Sequence, residues 1–345
     1  MSNRKSQEIR LKSYPSGMPT AANFELVTVD VPDPGPGQVL VRNSYMTVDP
    51  YMRGRMVPDR QSYVPPFALG EAMTGGAVGQ VIAAGNGAPF KVGDFVQSMA
   101  GWREMYVSTG MEMMQKVDPI PGVGIQSFLG TFGMPGLTAY VGLLKIAEFK
   151  PEDSVFVSAA SGAVGQVVVQ IAKAKGSKRV VGSAGSDEKC AYLKTIGCDE
   201  VINYRTCGDL HAAVAKAFPD GIGVYFDNVG GTHLEAAIAK MRPFGRLAEC
   251  GMIEQYNATE MPPGPRNMIM IVGLRLTVRG FIVSDHFNML PEFIRDMATW
   301  TKEGKMTWKE TIADGIEKAP EAFLGLFKGE NFGKMLVRVG PDKAV

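Results

Sequence analysis

The first 189 residues contain neither cysteine nor histidine, and the whole chain of 345 residues has only 4 cysteines and 3 histidines. A catalytic zinc needs a cluster of Cys, His or carboxylate ligands, so no metal is expected in that half. His211, His233 and His286 stand singly and suggest no proton relay. Cys190, Cys198, Cys207 and Cys250 make no Cys-x-x-Cys pair and read as reduced, buried thiols rather than a disulfide framework. An excess of one charge is missing too: 36 Lys and Arg oppose 35 Asp and Glu, a balance without the footprint of a nucleic-acid or anionic-membrane binder. The N-terminal MSNRKSQEIRLKSYPSG has no apolar stretch behind it, and NMIMIVGLRLTVRGFIV is interrupted by Arg275 and Arg279. Neither a signal peptide nor a membrane span is expected, and the expected location is cytoplasmic.

What is present is a globular composition, 45% hydrophobic and 21% charged, on a chain long enough for two domains. About the first 110 residues alternate short apolar runs with Pro and Gly, as in FELVTVDVPDPGPGQVLVRNSYMTVDP, which predicts a compact, mostly β domain. From about residue 130 the character changes. Helical periodicity over Gly136–Phe149 and Gln166–Lys175 alternates with the strand candidates SVFVSAA, RVVGSAG, EVINY, GVYFDNVGG and GRLAECG. That alternation predicts βαβ units around a parallel sheet. NFGKMLVRVG is a lone final strand expected to return to the first domain, and EMPPGPRNMIMIVGLRLTVRGF reads as a stiff proline loop followed by an edge strand.

The hexapeptide GAVGQV occurs twice, at Gly76–Val81 and Gly162–Val167. A dinucleotide turn needs a strand before it, a helix after it, and glycines where backbone approaches a pyrophosphate. Only the second copy has that frame. It follows SVFVS and opens into QVVVQIAKAKG, giving the fingerprint Ala160-x-Gly162-x-x-Gly165 with Ala163 and Val164 inside the turn. The first copy runs into the turn formers Gly85, Gly87 and Pro89, so it reads as a strand whose glycines serve a bulge or a tight barrel corner. The next strand, Arg179–Ala184, ends without the acid that holds an NAD ribose; Asp187 and Glu188 read as helix-start residues, and Lys189 follows. An uncharged strand end beside a cation favours NADP(H).

These residues resemble the zinc-independent medium-chain dehydrogenase/reductase family, within it the group of curcumin, alkenal double-bond and prostaglandin reductases. The likeness runs through DPYMRGRM, GMPGLTAYVGLL, VSAASGAVGQ, VGSAGSDEK, FDNVGG, CGMIEQYN, PPGP, RGFIVSD and NFGK. It implies an α/β architecture: a GroES-like, mostly β catalytic domain from residues 1–130 and 311–345, and a Rossmann domain with a doubly wound parallel sheet from 131–310. It further implies NADPH as cofactor, with Lys189 and Tyr204 at the 2′-phosphate, Ser186 joining them, and Asn228, Cys250 and Asn331 lining the cofactor.

The reaction so implied is hydride transfer to the β-carbon of an α,β-unsaturated ketone or aldehyde, with negative charge developing on the carbonyl oxygen. Without a metal, hydrogen-bond donors must stabilise that charge, and a neutral tyrosine hydroxyl suits the task. Tyr256 ranks first, then Tyr63, then Tyr51, the last equally readable as a packing residue. Arg53 and Arg55 read as loop-fixing groups, surface ion-pair partners or binders of the carboxylate of an acidic lipid, and the Met-rich Met111–Gln115 as core packing. The resemblance also implies a homodimer with a small-molecule enone or enal as partner, and neither nucleic acid nor membrane. A quinone reductase, or a nucleotide-binding sensor without catalysis, is the competing reading.

Overall fold

The structure is a computed structural model that describes residues 4–59, 62–110 and 113–341. β1 (Arg4–Leu11) and β2 (Phe24–Val31) pair antiparallel along their whole length, from Arg4 opposite Val31 to Leu11 opposite Phe24. β3 (Val39–Thr47) is nearly all buried and carries β4 (Ala77–Ala84) on one side. β5 (Phe95–Ser98) pairs with β4, β6 (Met105–Ser108) pairs with β3, and β7 (Gln115–Lys116) pairs with β5.

The first GAVGQV is this β4 strand. A Cβ on Gly79 would stand 2.3 Å from the Arg42 carbonyl oxygen and 2.7 Å from the Asn43 Cα. The β3–β4 register shifts between Asn43 and Tyr45, so Gly79 lets a bulged strand close on its partner, as the sequence context implies.

Beyond it, α1 (Met134–Tyr140) starts with Pro at its first turn and continues into a wider π-type turn, Val141–Ile146. Then strands and helices alternate: β8 (Ser154–Val157), α2 (Gly165–Ala174), β9 (Arg179–Ala184), α3 (Asp187–Thr195) and β10 (Glu200–Asn203) form the first half. α4 (Leu210–Ala217), β11 (Ile222–Asp227), α5 (Gly231–Lys240) and β12 (Met241–Glu249) follow, then α6 (Ile269–Leu274), β13 (Thr277–Gly280) and α7 (Leu290–Lys302). The six strands are parallel in the order β10-β9-β8-β11-β12-β13. The order reverses beside β8, which is the doubly wound Rossmann arrangement with its ligand crevice at the strand C-termini. Val155, Phe156, Val157 and Tyr225 are fully buried, and Phe156 stacks on Tyr225 at 5.2 Å, because both faces of a parallel sheet are covered.

β14 (Glu310–Asp314), α8 (Ala319–Lys328) and β15 (Lys334–Arg338) end the chain, and β15 pairs antiparallel with β3 as the last strand signal predicts. The chain divides into two compact units: Met1–Leu129 with Glu310–Asn331 and Met335–Val345, and Gly130–Lys309 with Phe332–Lys334. The first is the mostly β, GroES-like unit, with Trp102 stacked on Phe24 and edge-on to Phe323 at its core. The second is the Rossmann unit.

Two local readings change. The proline loop does not run straight into an edge strand: IMIVGL forms α6 first, ended by Arg275 in the left-handed region at φ 53. In the Met-rich stretch, Met111 and Glu112 lie outside the described residues. Met114 packs on the Val39, Val41, Val81 and Val96 cluster, whereas Met113 is 67% exposed, at φ 50 in a turn that carries its side chain outward.

Gly79→Ala should destabilise the protein by about 2 kcal/mol, since backbone on the facing strand has no rotamer with which to yield. A fall in thermal midpoint of several degrees is expected; an unchanged midpoint would contradict the bulge assignment.

Candidate cofactor site

The second GAVGQV forms the turn between β8 and α2. Ala160 is fully buried; its N–H donates to the Ser183 carbonyl at 2.9 Å, and it faces Gly182 on β9. A Cβ on Gly165 would lie 2.5 Å from the Ala159 carbonyl oxygen and 2.6 Å from the Ala160 Cα, so the helix can close on the strand only with glycine there. Gly162 is different: its missing Cβ would meet only the Ala159 oxygen at 3.2 Å. Its side of the turn is open, and Ala163 and Val164 beside it are half-buried. A ten-residue helix thus begins on open backbone, which fits a pyrophosphate at its N-terminus. Gly333 braces this turn by donating its N–H to Ser161 O at 2.9 Å.

A second cluster lies where β9 ends. Ser186 caps α3 by accepting the Lys189 N–H at 3.3 Å, and Asp187 begins that helix while accepting from Asn203 at 2.7 Å. Tyr204 donates its backbone N–H to Ala184 O at 3.1 Å, and its ring meets His233 edge-on at 5.3 Å. A Cβ on Gly185 would stand 2.6 Å from the Tyr204 hydroxyl and 3.2 Å from Arg205 Nε, so both groups crowd the strand end. Burial first, then the Arg205 guanidinium, hold the Lys189 ammonium below its usual range. Two cations close enough to act on each other gather positive charge at the strand end, which suits an anion such as a 2′-phosphate. Arg205 escaped the sequence reading; it adjoins Tyr204 in EVINYR, but nothing in the spacing tells which way it turns.

The third cluster forms at the ends of β11 and β12. Asp227 is fully buried, and its Oδ1 accepts from Ser158 Oγ at 2.9 Å, Tyr225 OH at 2.7 Å, Val229 N at 2.8 Å and Gly230 N at 3.0 Å. Asn228 is tied to the same place, donating its side-chain amide to Ser158 O at 2.8 Å. The backbone N–H of Cys250 donates to Asp227 O at 2.9 Å, while burial first, then Asp227 and Glu249, push its thiol up to about 12. This is an unreactive thiol at physiological pH. Glu249 stands beside Asp227 in register, and burial, followed by the Asp227 charge, pushes its carboxyl up to about 9. Ser158, Asp227 and Glu249 were not singled out from sequence, because an acid at a strand end signals nothing until its neighbours are known.

Tyr256 follows the short turn Ile253–Gln255 and is half-buried; its hydroxyl oxygen accepts the Met252 N–H at 3.4 Å and lies 3.0 Å from a Cβ built on Gly251. The second unit therefore carries Ala160, Gly162, Ala163, Val164, Gly165, Ser186, Lys189, Tyr204, Asn228, Cys250 and Tyr256, all at the C-terminal ends of its strands.

Tyr51, Tyr63 and Asn331 belong to the first unit. Tyr51 lies in the short helix Pro50–Met56, half-buried, with its hydroxyl pushed far above its usual value by burial and then by Asp49. It remains a neutral donor. Tyr63 is 58% exposed, and Asn331 is half-buried. Arg53 donates to Gly17 O at 2.7 Å; Arg55 donates to Pro65 O at 2.9 Å and covers the Phe67 ring at 3.9 Å. These bonds fix loops, and both side chains are buried. Among the described residues no group of three His, Cys, Asp or Glu side chains is placed to hold a metal.

Residues 7–117 match a family model described as the N-terminal domain of oxidoreductase, and residues 163–299 match one described as zinc-binding dehydrogenase. An NADPH-dependent curcumin reductase of Escherichia coli is 42% identical over 342 residues, covering 96% of each chain. An NADP(+)-dependent 2-alkenal reductase of Nicotiana tabacum is 42% identical, covering 98% of each. The crystal structure of CurA from Vibrio vulnificus in complex with NADPH superposes with a TM-score of 0.91 at 42% identity, covering 97% of this chain and 99% of that one.

Gly162→Ala should fold, because the added methyl meets a single backbone atom, the Ala159 carbonyl oxygen at 3.2 Å, and a small shift relieves it, yet should raise the Kd for NADPH about 10-fold by narrowing the turn. Fluorescence titration with NADPH reads this; an unchanged Kd would remove the turn from the cofactor site.

Proposed function

This chain belongs to the zinc-independent medium-chain dehydrogenase/reductase family, and from that premise we propose that it reduces the C=C bond of α,β-unsaturated ketones or aldehydes with NADPH. The single observation that carries the reading is the pairing of the open Gly162 turn with the Lys189, Arg205 and Tyr204 cluster on one Rossmann edge. The turn suits a pyrophosphate and the cluster a 2′-phosphate, the two anionic parts of NADPH. When bound, NADPH supplies the hydride delivered to the substrate β-carbon.

The chain's own residues do the rest. Gly162, Ala163 and Val164 hold the pyrophosphate with backbone N–H groups; Lys189, Arg205 and the Tyr204 hydroxyl hold the 2′-phosphate, with Ser186 shaping the helix start beneath it. Asn228, Cys250 and Asn331 are assigned to the cofactor wall. The Tyr256 hydroxyl donates a hydrogen bond to the substrate carbonyl oxygen, where charge builds as the β-carbon is reduced. Tyr63 and Tyr51 follow it, in that order, as donors. The four cysteines are all free thiols, which supports a reducing, cytoplasmic setting, and no helix among the described residues is long and apolar enough to cross a membrane. The near balance of 36 basic against 35 acidic residues assigns no nucleic-acid partner.

A homodimer completes the proposal. β13 ends the six-stranded sheet with all four residues exposed, and α6 beside it presents Ile269 at 77% and Val272 at 73% exposure. An exposed strand edge beside an apolar helix face pairs readily with its own copy across a two-fold axis. Light scattering should give twice the chain mass for the wild type, falling to one chain in Val278→Pro, which removes a backbone donor from β13; a monomeric wild type refutes the dimer.

The activity is tested by following NADPH absorbance with enones, enals and quinones. Enones and enals should turn over. Tyr256→Phe should lower kcat about 100-fold, and Lys189→Ala should raise KM for NADPH about 10-fold or more without affecting the weak use of NADH. Turnover of quinones alone, unaffected by Tyr256→Phe, would make the protein a quinone reductase. NADPH binding with no turnover of any of the three would make it a sensor.

A further inference from the structure

Asp227 and Glu249 form a pair that the reaction so far leaves unused. They end adjacent parallel strands, stand opposite each other in register, and lie within hydrogen-bonding reach. All four donors that reach Asp227 converge on Oδ1. The other three oxygens of the pair, Asp227 Oδ2 and Glu249 Oε1 and Oε2, are buried and have no donor among the described residues. Two bare carboxylates packed together out of water are strongly disfavoured, and buried unpaired acceptors are costly even singly. One proton resolves both problems, because it removes a charge and supplies the missing donor.

We propose that Glu249 is a positioning residue that carries this proton, donates it in a hydrogen bond to Asp227 Oδ2, and thereby holds the Asn228 and Cys250 side of the NADPH site in place. The connection is direct. Asp227 fixes the 228–230 turn through the N–H groups of Val229 and Gly230, and its own carbonyl receives the N–H of Cys250, the residue after Glu249. With the proton lost, two like charges repel, and the strain falls on the turn and the end of β12 that Asp227 holds. The placement of NADPH rests on the proposed function above; the shared proton does not.

The titratable groups around the pair are Tyr225 from β11, His233 from α5, and Cys250 and Glu254 beyond β12. Burial keeps Tyr225 and Cys250 protonated and His233 neutral. Glu254 also lies above the ordinary carboxylate range, through burial and then Asp227. The charge that acts on Glu249 is that of Asp227.

The sign of the pH dependence follows. Glu249 ionises in the unfolded chain at an ordinary carboxylate pH but keeps its proton when folded, so the folded state holds the extra proton between those limits. Stability from this group is full in acid and falls as pH rises, by up to about tenfold in the folding constant per pH unit, until the folded carboxyl also ionises.

The test compares the full-length wild type with Glu249→Gln and Glu249→Leu from about pH 6 to about pH 10, a span that brackets the folded ionisation. NADPH fluorescence titration and denaturant unfolding are measured at each pH. The wild-type Kd for NADPH should climb on the alkaline side by up to about tenfold per pH unit. Glu249→Gln, which presents a permanent N–H donor, should lose that climb and grow more stable relative to wild type as pH rises. Glu249→Leu, which leaves Oδ2 without a donor, should bind NADPH more weakly than Glu249→Gln at neutral pH. Superimposable wild-type and Gln profiles in both measurements overturn the proposal. If none of the three proteins binds NADPH, the assigned function fails, while the wild-type and Gln unfolding profiles still decide whether the proton is shared.

Discussion

One carboxylate oxygen organises the C-terminal edge of the Rossmann sheet. Asp227 Oδ1 gathers the Ser158 hydroxyl from the end of β8, the Tyr225 hydroxyl from its own strand, and two backbone N–H groups from the turn that follows. The Asp227 carbonyl adds the N–H of Cys250 from the end of β12. Strand ends in an open parallel sheet are otherwise held only by ladder bonds that stop where the ligand crevice begins. A buried charge with every donor pointed inward supplies the missing rigidity, and Asn228, Cys250 and Tyr256 follow within a few residues of what it fixes. The concentration of donors on Oδ1 also strands Oδ2, which is why a neighbouring glutamate matters.

The two copies of GAVGQV show how one hexapeptide serves two roles, a strand of the mostly β unit and the turn into a helix. The glycine at its fourth position meets backbone in both copies, Gly79 on the Arg42 carbonyl in β4 and Gly165 on the Ala159 carbonyl at the start of α2, whereas the first glycine faces the Thr47 side chain as Gly76 and the Ala159 carbonyl oxygen as Gly162. Neither role belongs to the hexapeptide. It comes from what stands 2 to 3 Å away, and from whether a strand or a helix follows.

Much of the fold could be read without coordinates. The β-branched runs SVFVS and RVVGSA and the strand GVYFD carry their own periodicity, and each became a strand of the parallel sheet. The lone MLVRV segment paired with β3. Local pattern failed at IMIVGL, where an apolar β-like run became a helix, because strand formation needs a partner and propensity is only a weak prior. Of the site, the fingerprint turn and the acid-free end of β9 were legible, since both depend on spacing along a single chain segment. Arg205 was not, because its approach to Lys189 joins two segments separated by a helix.

The sequence by itself determined the strand–turn–helix frame around Gly162, the lack of a Cys and His set for zinc in the first 189 residues, and the cation after an uncharged strand end. These are matters of order and composition, which folding cannot change. Only the tertiary structure decided that Arg205 crowds Gly185, that four donors meet on one oxygen of Asp227, and that Glu249 stands opposite Asp227 with both its carboxyl oxygens out of water. The charge state of a carboxyl depends on the dielectric and the neighbours that surround it, and neither exists until the strands have found their register.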